Sequence, residues 1–136
     1  MWKRTVGSIA AIIIFTLISA LHGADSLKTY DTRAIDAFMD GMDLEAAGDF
    51  EQAILAYKRA ISYDPQAVDI HFSLAKLYLQ SQQKDLAQAS LLNVIKYDSR
   101  HVDALELLGE MSQSDQEHVL ALGYFERVLD IDYNND

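Results

Sequence analysis

Four histidines, His22, His71, His101 and His118, are the residues best able to hold a metal ion in this chain. A shared metal needs two such ligands at three- or four-residue spacing on a helix, and no two histidines are so placed. Ser73, Ser90 and Ser112 lack the glycine-flanked turn that exposes a nucleophilic hydroxyl. Gly41 and Gly48 are isolated, so no glycine-rich loop is available to cradle a phosphate. Glu106 and Glu110 stand one helical turn apart, a spacing that suits a solvated helix face better than an acid–base pair. The absence of cysteine removes disulfide frameworks, thiol catalysis and thiolate-held metals. The expectation is a chain that is not an enzyme, with no catalytic residue, no metal and no cofactor.

Function then has to reside in a surface, and composition says what kind. Half of the 136 residues are apolar, and one proline and six glycines leave room for long helices in one domain. The formal net charge is −10, and Lys3 and Arg4 are the only charges before Asp25. From Asp25 onward nine basic residues face 21 acidic ones, a net −12. Such a surface repels phosphate backbones, and no basic cluster offsets it, so no nucleic-acid partner is expected.

The two early cations precede an uncharged run of 17 residues, Thr5 to Leu21, which is followed by small residues. A positive start, an apolar centre and a small-residue end form the layout of an export signal. As a helix the run would reach roughly 25 Å, the short limit for crossing a hydrocarbon core. Residues 1–24 are therefore expected to be a signal peptide or a retained N-terminal membrane anchor, with residues 25–33 a linker. Cutting after Ala20 or after Ala24 places Ile18 or His22 where a second small residue is wanted, so both fates stay open. Either way Lys3 and Arg4 stay cytoplasmic and the remainder is exported, to a periplasmic or other extracytoplasmic location. Membrane contact is expected through this segment alone.

Beyond it the chain repeats. Tyr63, Asp64, Val68 and Asp69 recur as Tyr97, Asp98, Val102 and Asp103, every offset being 34. Asp132 continues the series of Asp64 and Asp98. Ala53, Ala87 and Ala121 keep the period, as do Gly41, Ala75 and Gly109. Within "AGDFEQAILAYKRAISYDP", residues 47–65, the positions Phe50, Ala53, Ile54, Tyr57, Ala60 and Ile61 share one helical face. Pro65 constrains Asp64 and ends that helix. The small residues at 41, 75 and 109 are expected to lie opposite Ala53, Ala87 and Ala121, letting paired helices approach.

A two-helix unit of 34 residues with these alanines, Leu108-Gly109, Tyr78 and Pro65 resembles the tetratricopeptide repeat (TPR). The units would be residues 34–67, 68–101 and 102–135. The resemblance implies an all-α, right-handed solenoid of three helix–turn–helix units. It also implies a concave groove lined by the first helices, which would display Phe38, Met39, Met42, Phe72, Lys76, Leu79, Glu106 and Glu110. Family members that grip a terminal carboxylate use lysine and asparagine there; Phe38 and Met42 argue against such a clamp. The implied function is a protein-binding scaffold in or near the cell envelope, taking a short amphipathic segment with basic residues. Alternatives are the accessory front end of a longer enzyme or assembly factor, and a self-associating module. The last follows from Leu120, Tyr124 and Leu129, which would be partly uncovered on the C-terminal repeat. A reporter fused after Arg33 is expected to be exported from the cytoplasm; cytoplasmic reporter activity would overturn that assignment.

Overall fold

The computed structural model describes residues 31–133, which form six helices and, among the described residues, no strand. The apolar segment 1–24, most of the linker and residues 134–136 lie outside the described residues. The helices are α1 (Thr32–Ala46), α2 (Phe50–Tyr63), α3 (Val68–Gln80), α4 (Lys84–Tyr97), α5 (Val102–Ser114) and α6 (His118–Tyr133). None of them is long and apolar enough to cross a membrane. They pack as α1·α2, α3·α4 and α5·α6 pairs, with α2 on α3 and α4 on α5 joining the pairs.

Local sequence sets each boundary. The Asp31 carboxylate accepts from the Arg33 N–H at 2.9 Å and opens α1 at Thr32. Asp49 accepts from the Gln52 N–H at 3.3 Å at the start of α2. The His101 imidazole plays the same part for α5, its Nδ1 accepting from the Ala104 N–H at 3.2 Å. Asp64 and Asp98 shape the turns between pairs, accepting from the N–H groups of Gln66 and Arg100 at 3.1 and 3.0 Å. That explains why the two aspartates repeat. The third, Asp132, lies within α6, which runs on to Tyr133.

The turn within each pair follows one backbone plan. Gly48, Gln82 and Gln116 occupy the same repeat position, and all three take left-handed φ values of 80°, 58° and 64°. The following N–H reaches back five residues in each case, from Asp49 to Leu44, Gln83 to Tyr78 and Glu117 to Ser112, at 2.9, 2.8 and 2.9 Å. This is a Schellman closure, which satisfies carbonyls that the helix end would leave open. Only Gly48 announces it in the sequence; the two glutamines adopt it against a side-chain penalty.

The core runs along the helix interfaces through Ala53, Tyr57, Ala60, Leu77, Leu91, Val94, Leu105 and Leu108, all fully buried. The small residues of the first helices do not simply face the alanines of the second helices, as the pattern suggested. The Tyr57 ring fills the space over Gly41, where an added Cβ would stand 2.4 Å from two ring carbons. Phe125 does the same over Gly109, at 2.6 Å. The Tyr57 hydroxyl donates to Glu45 Oε2 at 2.6 Å. Burial, and then the Glu45 carboxylate, push its pKa well above the ordinary tyrosine value, and a contact with Ser73 of α3 opposes them. Tyr57 thus joins its own pair and touches the next one.

Two predictions follow from these backbones. Gly41→Ala gains about 1 kcal/mol of helix propensity but drives a methyl into a ring with no free surface. It is expected to cost about 1–3 kcal/mol net. Gly109→Ala should cost less because Phe125 is only half-buried, and Gly123→Ala, whose Cβ would meet nothing within 4 Å, should stabilise. Thermal melts of the three variants would contradict this packing if Gly41→Ala raised the midpoint. Separately, Gln82→Gly and Gln116→Gly should each stabilise by roughly 0.5–1 kcal/mol, whereas Gly48→Gln should destabilise by a similar amount. Urea titrations that order these variants otherwise would count against the left-handed turns.

Candidate peptide-binding surface

The eight residues singled out from the sequence fall on the first helices α1, α3 and α5, outside the buried stripe of each, with Phe38, Phe72 and Leu79 half-buried against the core and the other five exposed. On α1 the buried stripe is Ala34, Ala37 and Gly41. Met39 and Met42 stand away from that stripe, and Phe38 flanks it. The repeat places Phe38, Phe72 and Glu106 at one level of their helices, and Met42, Lys76 and Glu110 at another one turn on. Leu79 shares its level with Glu45.

Their environments differ. Met39 and Met42 are 58 % and 50 % exposed, while Phe38 is half-buried, its ring centroid 5.5 Å from that of Tyr57. Phe38 therefore packs against α2 while keeping one edge in water. Phe72 is also half-buried and is flanked on two sides, with the His101 ring 4.6 Å away and the Lys76 ammonium 5.5 Å from its own centroid. A cation over an aromatic face is held by the ring quadrupole, so Lys76 is positioned rather than loose. Leu79 is half-buried against the core. Glu106 and Glu110 are exposed on α5. Along the three helices the surface passes from methionine and phenylalanine, through a phenylalanine–lysine contact, to carboxylates.

Two contributors were not evident from sequence. His101 has no helical neighbour of like type, yet the turn before α5 folds it against Phe72 while its other side caps the helix. Its position in the repeat, shared with Ala67, was the available signal. Glu45 was unremarkable as one acid among many, but it holds the Tyr57 hydroxyl beside this face. His71, by contrast, is a packing residue: it is buried, its Nε2 lies 2.8 Å from the Pro65 carbonyl, and its ring stacks 5.9 Å from Tyr97. That geometry calls for the proton on Nε2, which donates to the carbonyl.

The C-terminal face differs from expectation in one respect. Leu120 and Leu129 are 43 % and 66 % exposed, but Tyr124 is buried, as Ala56 and Ser90 are at the same repeat position. Val119 and Leu122 are exposed instead. A depression of ≈ 790 Å³ lies along this helix, lined by residues that include Val119, Leu120, Gly123 and Arg127.

Known proteins share this organisation. Two repeat-family models match, one described as TPR repeat over residues 44–82 and one as tetratricopeptide repeat over residues 72–136. The chain is 31 % identical over 102 residues to BBSome complex member BBS4 of Bos taurus, covering 75 % of this chain and 19 % of that one. It is 30 % identical to human tetratricopeptide repeat protein 7A, over 70 % of this chain and 11 % of the relative. The chain thus spans a fifth or less of the length of these curated relatives. Among solved structures, MamA superposes with a TM-score of 0.71 at 21 % identity, covering 77 % of this chain and 62 % of that one. The second TPR of Spaghetti (RPAP3), bound to the HSP90 peptide SRMEEVD, superposes with a TM-score of 0.65 at 25 % identity, over 73 % and 92 %. The 34-residue period, the three helix pairs and the matching models lead to one conclusion: this chain belongs to the tetratricopeptide-repeat family.

Proposed function

We propose that this chain is a non-enzymatic scaffold that holds a peptide segment of another protein along the first-helix face, outside the cytoplasmic membrane. The observation that carries the reading is the exposure of Met39 and Met42, at 58 % and 50 %, beside the half-buried rings of Phe38 and Phe72. Methionine and aromatic side chains grouped on one helical side accommodate apolar side chains of varied shape. A related solved structure holding the peptide SRMEEVD supports peptide binding as a use of this fold. The chemistry here selects a different peptide. Glu106 and Glu110 repel an acidic segment and attract a basic one, so the segment has its apolar residues toward α1 and its lysines or arginines toward α5. The export reading rests on Lys3, Arg4 and the uncharged run from Thr5 to Leu21.

A second reading draws on the relatives' length. Because the chain spans about a fifth or less of those proteins, the same repeats would serve as the accessory region of a longer enzyme or assembly factor. The surface chemistry is the same in both settings.

Fluorescence anisotropy with two labelled peptides tests the binding reading. One carries leucines followed by lysines; the other is SRMEEVD. The basic peptide is expected to bind at least about tenfold more tightly. Met39→Ser/Met42→Ser, on side chains that are largely exposed, should weaken it with unchanged helicity, and Phe38→Ser/Met42→Ser should weaken it further. Equal binding of both peptides, or indifference to the methionine substitutions, would remove the basis for this surface.

A further inference from the structure

The last helix differs from the other two second helices on its outer side. At the position of the charged Glu51 and Asp85, α6 has Val119; where α2 and α4 lead into Pro65 and Ser99, α6 continues to Tyr133. Between them Leu122 and Leu129 correspond to Ile54 and Ile61 of α2, which are half-buried against the core. Val119, Leu122, Leu129 and Tyr133 are 88 %, 57 %, 66 % and 87 % exposed. With Glu126 they fall at alternating steps of three and four, the spacing of a two-stranded coiled-coil seam. Repeat stacking accounts for apolar residues at 122 and 129, but not for those at 119 and 133, which are polar or turn residues in the other units. Nothing inside the described residues covers this line.

We propose that this seam docks one amphipathic helix of another protein, and that this helix carries a lysine or arginine at the level of Glu126. Charge complementarity selects that occupant. Glu126 occupies the middle layer of an otherwise apolar seam, so any helix laid there removes its carboxylate from water. The loss is offset only by a cation in the same layer. The described residues offer none: Glu126 has no ion pair among them, and the neighbouring Arg127 donates its Nη2 to the Ser99 carbonyl at 2.9 Å. A second copy of α6 would set Glu126 against leucine or against another Glu126, which argues against self-pairing. The seam spans two heptads, fitting an auxiliary contact that adds to a partner's hold elsewhere rather than a permanent dimer. It stands apart from the first-helix face and does not rest on it.

The test uses the full chain and two labelled three-heptad helical peptides at nanomolar concentration, with leucine seams and either lysine or glutamate in the central layer. The lysine peptide is expected to bind wild type at least about tenfold more tightly than the glutamate peptide. Glu126→Lys should reverse that order, and Leu122→Ser/Leu129→Ser should abolish both. Met39→Ser/Met42→Ser should change neither, which separates this surface from the first-helix face. Far-ultraviolet dichroism confirms that each variant folds. The proposal is overturned by equal affinity for the two peptides, by an order that survives Glu126→Lys, or by no binding at all. It is overturned equally by a sedimentation mass that rises with concentration and reverts to monomer in Leu122→Ser/Leu129→Ser, which would assign the seam to a second copy.

Discussion

Each helix pair depends on volume exchanged between a first-helix position and an aromatic or branched side chain of the second helix. In the first pair the first-helix partner is the bare backbone of Gly41, and the Tyr57 ring takes the space a side chain would need. In the third pair Phe125 takes the space over Gly109. The second pair reaches the same end with Ala75 and Leu91, both without exposed surface, where a smaller and branched side chain leaves room for a methyl. The exchange sets how closely the axes approach and so which other residues meet. Tyr57 adds direction: its hydroxyl donates to Glu45 on α1 and also meets Ser73 on α3, so one side chain ties three helices.

Because the main contacts run between successive helices, the array behaves as a line rather than a ball. Each second helix meets its own first helix and the next one, and this uses up the inner faces. The first helices then have one side that the fold does not need for its core. Met39, Met42, Glu106 and Glu110 lie there, free to be chosen for recognition rather than stability. That separation is the physical reason a repeat array can change partners without changing its architecture.

The two ends of the array are chemically unlike. On α1 the exposed Asp40 and Asp43 occupy the positions that Leu74, Leu77, Leu108 and Met111 bury in the later pairs. Asp40 is held by Arg59 at 2.6 Å, and the pair is exposed at both ends, where it contributes little to stability. At the other end α6 presents valine, leucine and tyrosine around one glutamate. Polar residues keep the first end compatible with water, whereas the last helix displays apolar area that a solvated helix does not require.

Much of the architecture was legible in the residues alone. The 34-residue period, the helix pairing and the small-residue positions follow from spacing, because helical periodicity and repetition are local properties of a chain. The part of Gly41 in admitting Tyr57, rather than in facing Ala53, was not legible, since both readings satisfy the same period and only three-dimensional packing separates them. The left-handed turns at Gln82 and Gln116 were hidden for a related reason: the helix-end closure, with backbone bonds from Gln83 to Tyr78 and from Glu117 to Ser112, takes a backbone that glutamine does not prefer. On the binding side, residue types marked Phe38, Met42, Phe72 and Lys76 as surface candidates. The approach of His101 to Phe72 and the burial of Tyr124 were decided by the fold. Sequence determines which side chains each helix carries and on which face; only the packed array decides which of those faces stay in water, because burial depends on neighbours that come from other parts of the chain.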